Sequence, residues 1–416
     1  MFQEEVRIQK SEVSRVGIDT TLISCRVDLG DNLMEFLSFD NGSLPVSVNI
    51  SCFRGQDGVT EHHLTVHPVE YASLDIQLEW VFKAYRDALD HLGLHIETAV
   101  LRRFFCSDLP NQFPILKNQP FSNPQHTEPC AVSLVCQPPG PSAKVSLWAY
   151  HVSDQNGNRP ILPGGSPAHY WTTGLTCPVA GGSCDQTRGI LEKYDAFLKS
   201  HGMSLADNVI RTWFFVQNID ANYHGLVAAR KEFFAEHGLT ADTHFIASTG
   251  IEGGHADIAA TVTMDAYAVS GIRPAQISYL TAPDHLSPTH IYGVTFERGT
   301  AVTYRDRRHV IISGTASIDS QGKILHHGDA LRQLDRAIEN VEALLAPAGA
   351  GLEDMAAIIV YVRDISDHTP ILHKMRQRFG DIPMTVVCAS VCRPGWLVEL
   401  EGMAIVPASC PELPVF

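Results

Sequence analysis

Apolar side chains recur at helical spacing in three separated stretches of the chain, and each stretch runs on into a β-rich segment. In the stretch opening at Gln186, Ile190, Leu191, Tyr194, Phe197 and Leu198 form one stripe; in the stretch opening at Gln333, Leu334, Ile338, Val341, Leu344 and Leu345 do the same. Spacings of three and four residues put such positions on one face of an α-helix. A third stretch opens at Gln77 and follows the same plan. Each predicted helix meets a glycine (Gly93, Gly202, Gly349), where a left-handed C-cap is expected. A short loop follows, ending at Ile96, Leu205 or Leu352. Then come the runs VLRRFFCSDL, VIRTWFFVQNI and IIVYVRDI, rich in β-branched and aromatic residues.

The flanks repeat as well. Strands ending in small-residue turns precede the last two helices (Tyr170-WTTGLTCP and Val310-IISGTASI). Second helices are expected at 223–238 and 368–380. The closing strands read KVSLWAYHV (144–152), ATVTMDAYAV (260–269) and LVELEGMAIV (397–406). The pattern predicts an α+β fold of three tandem β-β-α-β-α-β-β units, each a single sheet backed by two helices and closed by a strand pair. The turn-rich segments 153–160 and 270–274 set the expected limits at 1–152, 153–276 and 277–416. The first unit carries extra strands, TLISCRVDL and LPVSVNISCF.

Charge narrows the partners. The 416 residues carry a net charge of −15, which repels phosphates at long range and argues against nucleic acid. The densest basic run, Arg305–Asp306–Arg307–Arg308, is expected to be a solvated hairpin tip. Ten cysteines without a CxxC pair read as reduced thiols of a cytoplasmic protein. No HExxH or paired Cys/His spacing suggests a metal, and no cofactor is expected. The charged opening MFQEEVRIQK has no apolar leader region, and no stretch approaches the length of a membrane span.

The third unit carries a resemblance. SGTASIDSQGKILHHGD, the Gln333 helix, VYVRD and LVELEGMAIV together resemble the RidA/YjgF family, small α+β proteins that form trimers with ligand clefts between subunits. Three fused copies imply a pseudo-trimer within one monomeric chain. Deaminating members of the family bind a substrate carboxylate with an arginine that follows a Pro-x pair. Pro383–Met384 is followed here by Thr385, and neither other unit keeps the guanidinium. A hydroxyl cannot replace that fork, which argues against an enamine/imine deaminase. A narrower resemblance is to the chorismatase branch. It rests on RTWFF (211–215), Tyr223 with Arg230, STGI (248–251), FERGT (296–300), SGTASI (313–318), HHGD (326–329), YVR (361–363) and CRPGWLVELE (392–401). The first 150 residues match less well. The resemblance implies a cofactor-free hydrolase that cleaves the enolpyruvyl ether of chorismate. A deaminase and a non-catalytic small-molecule binder are the competing readings.

Cleaving an enol ether requires a proton on the vinyl methylene carbon, which a carboxylic acid can supply. Strand alternation puts Glu399 and Glu401 on one face. The matching positions are Ser146 and Trp148 in the first unit, Thr263 and Asp265 in the second, so only the third unit has two carboxylates. Glu399 is the candidate acid, and Glu401 a candidate substrate contact. Cys392 is expected on a strand paired side by side with that of Glu399. The resemblance implies that this cysteine directs the product to 3-hydroxybenzoate; a buried structural thiol is the alternative. A substrate with two carboxylates needs cations, and Arg211, Arg230, Arg298 and Arg393 are the candidates, with Tyr223 beside Arg230. Ser313, Gly314 and Thr315 offer N–H groups and hydroxyls for oxyanions, whereas the parallel TGLT (173–176) is expected to be structural. The asymmetry between copies places the site at the junction of the second and third units.

Overall fold

A computed structural model describes residues 21–26, 34–40, 44–123, 130–161, 166–178 and 181–416. Residues 1–20, on which the leader expectation falls, lie outside these. The first sheet holds β1 (Thr21–Arg26), β2 (Met34–Asp40), β3 (Val46–Arg54), β4 (Thr60–Pro68), β5 (Ala99–Cys106), β6 (Ala131–Cys136) and β7 (Val145–Ser153), with α1 (Leu74–Leu92) and α2 (Leu109–Leu116) between strands. The second holds β8 (Ala168–Thr176), β9 (Val209–Val216), β10 (Ala247–Glu252) and β11 (Val262–Ser270), with α3 (Ser183–Ser200), the single turn α4 (Leu205–Asn208) and α5 (Ile219–Glu236). The third holds β12 (Ile277–Tyr279), β13 (Gly299–Thr303), β14 (Arg307–Ala316), β15 (Met355–Val362), β16 (Met384–Cys388) and β17 (Val398–Pro407), with α6 (Ala330–Leu345) and α7 (His368–Phe379).

The same four-strand order recurs in all three sheets: β4-β7-β5-β6, β8-β11-β9-β10 and β14-β17-β15-β16. The closing strand always lies antiparallel between the opening strand and the strand after the first helix. The helix after that strand then crosses over to a parallel edge strand, as a βαβ crossover requires.

Two expectations are corrected here. The last two strands of a unit are not a hairpin, because β15 lies between β16 and β17. The second sheet has one opening strand rather than two among the described residues. Gly93, Gly202 and Gly349 do take positive φ, as the helix ends demand.

The glutamine that opens each repeat plays the same part in all three units. Its buried amide fastens the segment leading into the closing strand. Gln77 binds Ser142 O and Lys144 N, Gln186 binds Ala259 O and Thr261 N, and Gln333 binds Gly395 O and Leu397 N. Each hydrogen bond contributes about 1 kcal/mol net, but leaving these peptide groups unpaired in the interior would cost more.

The sheets meet in a circuit. β6 packs on β8, β10 on β14, and β16 on β4. Isolated bridges from Cys136 to Gly254 and from Ile251 to Val391 tie neighbours further. The expected solvated tip at 305–308 is instead partly interior. Arg307 is fully buried and binds Glu61 of the first sheet at 2.6 Å and Asp306 at 2.9 Å, while His309 and Tyr150 also bind Glu61, at 2.9 and 2.5 Å. The acidic partner across the junction draws the arginine inward. Burial alone would push Glu61 up, but His309 and Arg307 hold it far below the usual carboxylate range. Among the described residues no helix is long and apolar enough to cross a membrane.

Arg307→Met would leave the Glu61 charge buried without its arginine partner. The expected loss is about 3–5 kcal/mol of stability, read as a lower urea midpoint; an unchanged midpoint would contradict the structural role given to this pair.

Candidate active site

Seven of the eleven candidate residues converge on one cleft between the second and third sheets. Tyr223 and Arg230 come from α5; Arg298 comes from the segment before β13, Gly314 from β14, Cys392 and Arg393 from the loop after β16, and Glu399 from β17. The cleft encloses about 480 Å³ counting its mouth, the size of a small-molecule site. Strand alternation is what delivers Glu399. Val398 and Leu400 belong to the hydrophobic core, so Glu399 and Glu401 take the opposite face, toward the second sheet.

The other four candidates sit behind the cleft wall. Arg211 and Glu401 are 1 % and 3 % exposed and bind each other at 2.7 Å, so they do not line the cleft and the expected substrate contact is corrected. The charge of each is met by the other across the junction. Ser313 is likewise turned away: its hydroxyl donates to Glu297 O at 2.6 Å and accepts from Ser248 N and Arg211. The Thr315 hydroxyl donates to Ser313 O. Within the expected oxyanion turn Ser313–Thr315, Ser313 and Gly314 form a bulge in β14 opposite Glu401, and the Gly314 N–H is already donated to Thr249 Oγ1 at 2.8 Å. The matching bulge in β8 has the structural role expected of it, with the Gly174 N–H held by Asp265.

A side chain at 314 would displace the Glu399 carboxyl. A Cβ there would lie 2.2 Å from Glu399 Oε1 and 3.1 Å from Thr249 Cγ2. The absence of a side chain is what lets the Glu399 carboxyl lie against β14. Gly250 does the same for Tyr223, whose ring would stand 3.0 Å from a Cβ.

Electrostatics separate the two glutamates. Burial pushes the Glu399 carboxyl up to about 8, the Glu401 charge adds to the rise, and Arg211 and Arg298 oppose it. At neutral pH Glu399 is therefore an acid with a proton to give. Burial also pushes the Cys392 thiol up to about 12; the Glu399 charge adds to this, and a hydrogen bond from Tyr223 opposes it. Cys392 is thus a thiol at neutral pH, not a thiolate nucleophile. Three arginines face the same space. Arg230 reaches Ser248 Oγ and Thr295 Oγ1, Arg298 donates to Ser287 O at 2.9 Å, and Arg393 lies over the Trp396 ring.

The remaining walls are Ser248, Thr249, Gly250, Val294, Phe296, Ala316, Ile318 and Trp396. All but Val294 fall inside the chorismatase-like motifs, yet none is a candidate by sequence, because small and apolar residues carry no chemical signal there.

Comparison with known proteins follows the same lines. The endoribonuclease L-PSP family matches residues 300–406. A RutC family protein of Pyrococcus abyssi is 31% identical over 97 residues, covering 23% of this chain and 76% of that protein. This chain belongs to the RidA superfamily. A 3-hydroxybenzoate synthase of Streptomyces hygroscopicus is 26% identical over 301 residues, 66% of this chain and 84% of that protein. A chorismatase crystal structure superposes with a TM-score of 0.58 at 20% identity, covering 74% of this chain and 93% of that one. Within the RidA superfamily the chain is chorismatase-like, with an α+β fold of RidA-like units.

Keeping a carboxyl poised this way costs stability in a pH-dependent manner. The folded value of Glu399 lies above its ordinary value of 4.5. Native protein therefore binds the extra proton more tightly than unfolded chain does, and this contribution, complete below pH 4.5, is lost as pH rises toward 8. Glu399→Gln removes that loss. Its melting temperature is expected to gain on the wild type as pH rises across this window, with the gap levelling off above it. An equal gap at pH 5 and pH 9 would show that Glu399 titrates normally.

Proposed function

We propose that this RidA-like chain is an enzyme that cleaves the enolpyruvyl ether of chorismate, releasing pyruvate and 3-hydroxybenzoate. The observation that carries the reading is Glu399: a buried carboxyl that keeps its proton at neutral pH, in a cleft faced by three arginines. Glu399 donates that proton to the methylene carbon of the enolpyruvyl group, giving an oxocarbenium ion. Its carboxylate then stabilises the cation until water adds, much as in glycoside cleavage. The hemiketal collapses, the C–O bond to the ring breaks, and the proton returns. That sequence adds one water and yields pyruvate and a dihydroxycyclohexadiene carboxylate; loss of one water from the latter gives 3-hydroxybenzoate.

Arg230, Arg298 and Arg393 are the cations assigned to the two substrate carboxylates. Cys392, a neutral thiol beside Glu399, is assigned to the aromatising branch, where it can hold the ring hydroxyl by hydrogen bonding. The name of the Streptomyces synthase agrees with this choice. Thr385 is buried in β16 and does not line the cleft, so the deaminase reading finds no support in it. A net charge of −15 disfavours RNA as substrate. We further infer that the sheet circuit is a pseudo-trimer completed within one chain.

A coupled lactate dehydrogenase assay tests the reading: chorismate should yield pyruvate, and none above background would overturn it. Glu399→Gln is expected to lower kcat by about 10²–10⁴-fold; an active variant would remove Glu399 from its role. Chromatography of the second product tests Cys392. Cys392→Ala should shift the product toward the non-aromatic diol, and unchanged 3-hydroxybenzoate would return Cys392 to a packing role.

A further inference from the structure

Glu401 is acidic, buried and close to Glu399, yet it does not reach the cleft. Its oxygens are met from across the junction. Oε2 accepts from Arg211 at 2.7 Å and from the Thr249 hydroxyl, and Oε1 accepts from Trp213 Nε1 at 2.7 Å. Arg211 and the indole are donors only. The Thr249 oxygen already accepts from Arg211 and from the Gly314 N–H, which leaves its own proton pointing at Glu401. None of these partners can accept a proton from Glu401. The carboxylate is therefore held by donors alone, and its three anchors, Arg211, Trp213 and Thr249, all belong to the second sheet.

The same device occurs at the junction of the first and second sheets. There Asp265 accepts from Arg103 at 2.8 Å and from Ser133 at 2.5 Å, both of the first sheet, and from the Gly174 N–H at 2.8 Å. Strand register makes Asp265 and Glu401, and likewise Ser133 and Thr249, equivalent. Two residues before Asp265 the strand carries Thr263, not an acid. The clamp thus stands without a neighbouring acid at one junction and beside Glu399 at the other.

We propose that Glu401 is a positioning residue of the third unit: a fixed negative charge, clamped by the second unit, that keeps the neighbouring Glu399 in its proton-bearing form. The inference rests on the assignment of Glu399 as the acid. It gives the second unit a part beyond its cleft residues Tyr223 and Arg230, since the charge that holds the proton in place is itself held from across the junction.

The groups that face Glu399 are Glu401 on its own strand, Tyr361 on β15, Arg211 on β9, Arg298 before β13 and Cys392 in the loop after β16. Of these, Glu401 and Arg211 can be changed without touching the cleft lining.

Glu399 protonation is followed by ¹³C NMR of glutamate carboxyls, with its resonance identified by its loss in Glu399→Gln, alongside the basic limb of the kcat profile for pyruvate release. Glu401→Gln is expected to move the Glu399 midpoint and the limb down by about one pH unit or more. Asp265→Asn, the same change at the other junction, should leave both in place. Arg211→Lys, which keeps a cation on the Glu401 carboxylate, should hold the wild-type midpoint. No movement with Glu401→Gln, or an equal movement with Asp265→Asn, would overturn the proposal. Wild-type protein without pyruvate release, but with the NMR shifts intact, would sink the chorismate reading and leave the charge clamp standing.

Discussion

The structure turns on the burial of one carboxyl group, Glu399, which is only 5 % exposed. A carboxyl removed from water resists ionisation, and that resistance is what a proton donor at neutral pH needs. Everything around it serves the burial. Strand β17 must run through the middle of its sheet to present alternate residues to the junction. Residue 314 must lack a side chain. The second sheet must close over the face of the third. Each condition is local, but all depend on the two sheets being held in fixed register.

That register is set by groups that do no chemistry. The glutamines at 77, 186 and 333 fasten the approach to each closing strand, so the position of Glu399 along β17 follows in part from an amide on α6. The Arg307–Glu61 pair ties the third sheet to the first. Replacing such a pair by apolar residues can be neutral, but removing one member is costly. The junctions are thus specified by polar contacts within an otherwise apolar core, which favours one arrangement of three similar sheets over alternatives.

Much of this is legible in the sequence, and the exceptions have physical causes. The repeat is readable because a helical stripe, a capping glycine and a β-rich run recur together. Glu399 stands out because VELE alternates and the other copies lack its pair. Arg211, Glu401, Ser313 and Thr315 lie near the site, as expected, but do not serve the substrate. A sequence shows that a charge exists, not whether another buried charge already meets it. The Arg305–Arg308 run misleads for the same reason, since Glu61 lies 246 residues from Arg307. The side-by-side pairing expected for Cys392 and Glu399 fails because a crossover places β15 between β16 and β17. Strand order is a long-range property that adjacency in sequence does not encode.

If the enol ether is cleaved at Glu399, chorismate must sit in the cleft between the second and third units with its vinyl group at that residue. A crystal structure of Glu399→Gln soaked with chorismate tests this most directly. The enolpyruvyl methylene carbon is expected within about 3.5 Å of the residue 399 side-chain amide, with both carboxylates on Arg230, Arg298 or Arg393. Chorismate bound at another junction, or in this cleft with its enolpyruvyl group turned away from residue 399, would contradict it.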